Sequence, residues 1–205
     1  MKITAEKLGK RFNREWIFRN LDFTFERGHT YAITGANGSG KSTLLQILWG
    51  QLPQSSGSLK YELNGKEIPP SEIFRHLSIA TPYMDLIDEF TLVEMVNFHF
   101  KFKKIRGTST VIELIEQMEL THASHKLISN FSSGMRQRLK LALAFYADTN
   151  LIFLDEPSTN LDKKSTQWYL DNLIGIPKEC LVFIASNQEH EYPADSIRLD
   201  IMGFK

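Results

Sequence analysis

The sequence predicts an α/β fold in which strand-and-helix segments flank an inserted helical stretch, and three observations predict it. An apolar, β-prone run, Thr30-Tyr-Ala-Ile-Thr34, leads through a glycine-rich loop into Ser42-Thr-Leu-Leu-Gln-Ile-Leu-Trp49, which has a helical apolar face. From Thr91 to about Leu120, and again from Ser133 to Tyr146, the pattern is helical. Strand texture then returns at Leu151-Ile-Phe-Leu154 and at Leu181-Val-Phe-Ile-Ala185, with a helix between them over about Lys163 to Leu173. The helical stretch of roughly 60 residues has the size of a small subdomain.

Each element has its local reason. Lys2 to Leu8 alternates, as does Leu21-Asp-Phe-Thr-Phe25, and Glu26-Arg-Gly-His29 turns the chain into the next strand. Pro53 to Gly57 reads as a loop. Ser58-Leu-Lys-Tyr-Glu-Leu63 alternates again and ends at Asn64-Gly65, a strong hairpin signal. Leu77-Ser-Ile-Ala80 reads as a buried strand, and Thr91-Leu-Val-Glu94 fits a capping box that opens the helical stretch. Phe98 and Phe102 fall one turn apart and are expected to pack in the core. In the second helix Leu139, Leu141, Ala142, Leu143 and Phe145 leave a largely apolar surface.

Bulk properties narrow the function. A chain of 205 residues can bury a full core. Its 24 basic and 24 acidic residues leave a net charge of +0, so no overall field attracts nucleic acid, and none is expected as a partner. The short basic run Lys101-Phe-Lys-Lys104 reads as a solvated helix end. Cys180 is the single cysteine, which excludes an intrachain disulfide and suits a reducing compartment; it is expected to start a buried strand. No apolar run approaches the roughly 18–20 residues needed to cross a bilayer. The first residues lack the apolar core of a signal peptide. Any membrane role is therefore expected to come through a partner.

The chemistry begins in Gly35-Ala-Asn-Gly-Ser-Gly-Lys-Ser42, which fits G-x-x-x-x-G-K-[ST] and is followed by Thr43. Gly35, Gly38 and Gly40 let successive N–H groups converge on phosphate oxygens, with Asn37 and Ser39 in the same loop. The following helix points its positive end at the same place. Lys41 can reach the β- and γ-phosphates, and the Ser42 hydroxyl can ligate Mg²⁺. Asp155, at the end of the apolar strand Leu151–Leu154, is a second magnesium anchor, and Glu156 is placed to polarise an attacking water. These residues imply a nucleoside triphosphate held with Mg²⁺. In Asn130-Phe-Ser-Ser-Gly-Met-Arg-Gln-Arg138, Ser132 or Ser133 is a good N-cap and Gly134 permits close approach, so a second anion-binding helix start follows.

Taken together, these motifs resemble the nucleotide-binding subunit of an ABC (ATP-binding cassette) ATPase, over essentially all of the chain. Gly35–Ser42 matches Walker A, Phe131-Ser-Ser-Gly-Met135 the LSGGQ signature, Leu151–Glu156 Walker B with Pro157 behind it, and Thr159-Asn-Leu-Asp162 the D-loop. The resemblance implies a P-loop NTPase (RecA-like) α/β core with an antiparallel β subdomain and an inserted α-helical subdomain. It places the core at 1–82 and 147–205 and the helical subdomain, carrying the signature, at 83–146. It further implies that two cassettes close head-to-tail on two ATP molecules. Each ATP would lie between Gly35–Thr43 of one and Ser132, Ser133 and Gly134 of the other, with Asp162 speaking across the dimer. Phe12, in Lys10-Arg-Phe-Asn13, stands where an aromatic stacks on adenine, with Trp16 as the alternative. The expected partner is a separate membrane-spanning permease, met by Tyr83, Met84, Leu86 and Ile87. That puts the chain in the cytoplasm at the inner face of the membrane, as a homodimer or heterodimer.

The chain departs from that family's pattern at four positions. Ala80-Thr-Pro-Tyr-Met-Asp-Leu86 lacks the family's glutamine, and Asn187 stands where the switch histidine is usual. Asn187 can hydrogen-bond a γ-phosphate oxygen but cannot carry a proton. Ser133 and Met135 replace a glycine and a glutamine. The catalytic set is therefore Lys41, Glu156 and Asn187. The alternatives to a transport ATPase are a soluble non-transport ABC ATPase and a weakly hydrolysing member of a heterodimer.

Overall fold

The computed structural model describes residues 1–107 and 110–205. Its strands are β1 (Lys2–Phe12), β2 (Glu15–Glu26), β3 (Thr30–Thr34), β4 (Ser56–Leu63), β5 (Lys66–Ile68), β6 (Leu77–Ala80), β7 (Leu151–Asp155), β8 (Leu181–Ala185) and β9 (Ile197–Asp200). The α-helices are α1 (Lys41–Leu48), α2 (Leu92–His99), α3 (Val111–Gln117), α4 (Ser133–Phe145) and α5 (Lys163–Ile174).

Two sheets form. One is antiparallel with order β2-β1-β4-β5; the other is parallel with order β6-β7-β8-β3-β9. The β4–β5 hairpin turns at Asn64 and Gly65, both at positive φ (51° and 78°), the conformation a two-residue turn requires. In the parallel sheet the side-chain period of two divides the apolar residues between two cores. Leu151, Phe153, Leu181 and Phe183 face α1 and the antiparallel sheet, while Ile152, Leu154, Val182 and Ile184 face α4 and α5. Phe153 and Phe183 are register partners and stack with centroids 4.7 Å apart. Both faces of β7 and β8 are buried, which is why those strands read as unbroken apolar runs.

The inserted stretch differs from its sequence reading. The capping box at Thr91 forms, with Thr91 N donating to Glu94 Oε2 (2.8 Å) and Glu94 N to Thr91 Oγ1 (3.3 Å). The helix then stops at His99, and a second one starts at a second capping box, Thr110 with Glu113. Long-range contacts impose the break. Lys103 Nζ donates to the carbonyls of Phe74 (2.6 Å) and Leu77 (2.9 Å), and Ile105 bridges to Ala147. The Arg106 guanidinium binds the carbonyls of Phe145, Ala147 and Thr149. Lys103 is therefore no solvated helix end, and burial lowers its pKa. Phe98 and Phe102 do meet ring to ring, yet Phe102 is 74% exposed and lies outside the core. Residues 108–109 of this stretch lie outside the described residues. Cys180 is buried directly before β8, with Sγ 3.3 Å from the Thr149 carbonyl oxygen.

Candidate functional site

The carboxyl ends of parallel strands gather the loops that leave them, and here those loops carry the chemistry-bearing residues. Gly35–Gly40 joins β3 to α1, and Gly40 caps the helix at φ 105°. A Cβ at Gly40 would stand 2.4 Å from Ile17 Cγ2, so both its conformation and its packing against β2 require glycine. Gly35 and Gly38 are also at positive φ (139° and 74°), while Asn37 and Gly38 are exposed and Ser39 is buried. Lys41 is 5% exposed, and its ammonium donates to the carbonyls of Gly35 (3.0 Å) and Ala36 (3.2 Å). It is thereby held across the loop that it follows. Ser42 and Thr43 occupy the first turn of α1, half-buried.

Asp155 ends β7 and is buried. Burial pushes its carboxyl above the ordinary range; the Ser42 hydroxyl opposes that shift, and the charge of Glu156 adds to it. Its Oδ1 is buried without a protein partner. An unpaired carboxylate oxygen beside a serine hydroxyl and a lysine suits a hard divalent cation, so the residues present fit Mg²⁺. Glu156 follows at φ 44°, half-buried, its N–H bound to the carbonyl of Ala185 (2.9 Å). That bond ties the end of β7 to the end of β8, just before Asn187. Asn187 is exposed, and its Nδ2 donates to Asn37 Oδ1 at 3.1 Å. Asn187 thus contacts the glycine loop across 150 residues of sequence.

A second cluster forms around the start of α4. Ser132 is the N-cap, its Oγ accepting from Met135 N at 3.2 Å, so the cap is Ser132 and Ser133 is the first helical residue. Both are exposed. A Cβ on Gly134 would lie 3.0 Å from the Asn160 carbonyl oxygen, which explains glycine where the loop after β7 passes closest. Asp162 caps α5 by accepting from Ser165 N (2.7 Å), and that bond lowers its pKa. Ser132, Ser133, Gly134, Asn160 and Asp162 line one open cavity of about 440 Å³. None of its lining residues belongs to Gly35–Thr43, so the start of α4 and the glycine loop before α1 are separate surfaces of this chain.

Phe12 sits at the end of β1, 47% exposed, with the Lys10 ammonium 5.0 Å from its ring centre. Trp16 is half-buried, with the Arg11 guanidinium 5.7 Å from its ring centre. Of the proposed docking residues, Tyr83 is 84% exposed, Leu86 is buried, and Met84 and Ile87 pack partly against the core. Two buried residues near the site have no counterpart in the sequence reading. Gln137 on α4 donates to the Pro157 carbonyl (2.8 Å), and Glu191 binds Ser158.

Residues 18–159 match the family model described as "ABC transporter". An uncharacterized ABC transporter ATP-binding protein of Bacillus subtilis, YybJ, is 28% identical over 190 residues, covering 92% of this chain and 86% of its own. The cytochrome c biogenesis ATP-binding export protein CcmA of Mesorhizobium japonicum is 33% identical, covering 80% of this chain and 81% of its own. Among solved structures, a putative ABC transporter ATP-binding protein of Pyrococcus furiosus superposes with a TM-score of 0.82 at 19% identity, covering 100% of this chain and 99% of that one. The dimeric bacterial ABC transporter cassette MJ0796 superposes at 0.75 and 21% identity, covering 91% and 88%. The P-loop, the parallel sheet beneath it and these likenesses agree: the chain belongs to the ABC transporter ATP-binding family, whose members are ATPases.

Proposed function

We propose that this chain binds and hydrolyses ATP to power transport through a separately encoded membrane partner, closing with a second cassette around each nucleotide. One observation carries the reading: Lys41 and Ser42 at the start of α1, Asp155 at the end of β7 and Asn187 after β8 gather at the carboxyl end of the parallel sheet, with Asn187 bonded to Asn37. Lys41 would hold the β- and γ-phosphates, the loop N–H groups of Gly35–Gly40 the phosphate oxygens, and Ser42 with Asp155 the Mg²⁺. When bound, that ion would neutralise charge on the phosphates. Glu156 would orient and polarise the attacking water, and Asn187 would hydrogen-bond the γ-phosphate. Phe12, the more exposed aromatic of the β1–β2 hairpin, is the residue offered to the adenine ring. Ser132–Gly134 and Asp162 would complete the nucleotide site of the second cassette.

No helix among the described residues is long and apolar enough to cross a membrane, so transport would require the partner. The exposed Tyr83 and the neighbouring Phe74, 59% exposed, line a groove beside Thr81 that suits such a contact. This would place the chain on the cytoplasmic face. Asn187 favours a second reading, a slow cassette paired with a faster one, because an amide cannot shuttle a proton.

The test is steady-state ATP hydrolysis by the purified chain beside Glu156→Gln. Mg²⁺-dependent turnover that the substitution abolishes is the expected result. ATP binding without turnover would favour the slow-cassette reading.

A further inference from the structure

Glu191 has no role in the site as described, yet its surroundings are unusual for an acidic residue in a polar run. It is 1% exposed. Its Oε1 accepts from Ser158 N at 2.9 Å and also from the Ser158 hydroxyl. Its backbone carbonyl accepts from the Tyr169 hydroxyl at 2.6 Å, which fixes the short 3-10 turn Glu189–Glu191 against the fully buried ring of α5. The second oxygen, Oε2, is buried with no partner. A carboxylate held out of water with half its acceptors unfilled is costly to keep, so plain surface chemistry does not account for it.

Its position does. Ser158 stands two residues after Glu156 and four before Asp162, and Asn160 in the same loop approaches Gly134. Glu191 stands four residues after Asn187, which touches Asn37 of the glycine loop. The Glu191–Ser158 contact is therefore a side-chain tie between the segment after β8 and the loop after β7. We propose that Glu191 is a positioning residue: it clamps Ser158 so that Glu156 and the loop through Asp162 keep their geometry relative to Asn187 and the P-loop. A movement at Asn187 would then be passed to Gly134 through this clamp. The inference rests on the nucleotide site proposed above.

The test compares wild type with Glu191→Ala, Glu191→Gln and Ser158→Ala. It uses steady-state ATP hydrolysis and amide hydrogen exchange over 156–162, with β7 and the middle of α5 as internal references. Glu191→Ala is expected to lower kcat about tenfold at unchanged KM for ATP and to speed exchange in that loop alone. Glu191→Gln keeps an acceptor for the Ser158 N–H and is expected to restore at least half of the lost rate and protection. Wild-type kcat and wild-type loop exchange in Glu191→Ala overturn the proposal. Should that variant not fold, Ser158→Ala decides: faster exchange in 156–162 supports the clamp, and unchanged exchange overturns it. A wild-type chain without turnover would count against the nucleotide site proposed above, while the exchange measurement still judges the clamp.

Discussion

At the scale of single residues, the site places chemistry ahead of stability, and Asp155 shows it. Its carboxyl pKa is raised from 3.8 by burial, so its contribution to stability is full only below that value and is lost as pH rises through the folded value. Above that folded value the ionised group is therefore a cost that a bound cation would offset. Asp155→Asn, which keeps the shape and drops the charge, is expected to raise Tm at pH 7 while abolishing Mg²⁺-dependent ATP hydrolysis. Thermal melts beside an ATPase assay check both halves, and a lower Tm with activity retained would refute the assignment. Asn187 works in the opposite sense, being exposed and cheap to change. Removing one hydrogen bond to a charged phosphate, about 1.5–3 kcal/mol, if it acts only in the transition state, corresponds to about ten- to a hundredfold in rate. Asn187→Ala is thus expected to lower kcat at least about tenfold at unchanged KM, measured by steady-state kinetics. A loss under about twofold would mean that the amide does not bond the phosphate in the transition state.

At the scale of elements, α2 carries a pH response. His99 ends it, and burial, with the nearby Lys103 charge, lowers its pKa from 6.5 to about 4, against a hydrogen bond with the backbone of Leu143 on α4. The folded state thus binds fewer protons than the unfolded chain between those values. The stability this represents is present above pH 6.5 and fades as pH falls to about 4, by at most about 3 kcal/mol. Urea unfolding at pH 7 and pH 4.5 is expected to show a smaller drop for His99→Asn than for wild type, and equal drops would sink the assignment. The elements also show what sequence can and cannot carry. The Asn64-Gly65 hairpin and the Thr91 capping box were legible because both are set by neighbouring residues. The break between α2 and α3 was not, since contacts of Lys103, Ile105 and Arg106 with residues 26 to 43 positions away impose it. At the site, the P-loop and Asp155 were legible because glycine spacing and an apolar strand ending in a carboxylate are local patterns. Glu191 was not: nothing in Gln188-Glu-His-Glu191 separates the exposed Glu189 from its buried neighbour.

At the scale of the whole molecule, the two helix starts pose the geometric question. The α1 start and the cavity around Ser132 are separate surfaces of one chain, so a nucleotide on the first would meet the second only in another copy. In a two-fold dimer each of two sites would combine one chain's Lys41 with the other's Gly134. That arrangement makes a prediction that no monomeric site can imitate. Lys41→Ala disables the phosphate side of a chain, and Gly134→Asp puts a Cβ 3.0 Å from the Asn160 carbonyl oxygen and a negative charge in the first turn of α4. Each variant alone is expected to be inactive. Mixed in equal amounts, half the dimers pair one of each, and one of their two sites then holds an intact Lys41 and an intact Gly134. Activity is expected to return to about a quarter of the wild-type rate if the sites act independently. Size exclusion of Glu156→Gln with Mg·ATP is expected to show the closed dimer directly. Recovery in the mixture would establish composite sites in a homodimer. No recovery, together with a Glu156→Gln chain that stays monomeric on ATP, would mean that the second half of each site comes from a different cassette.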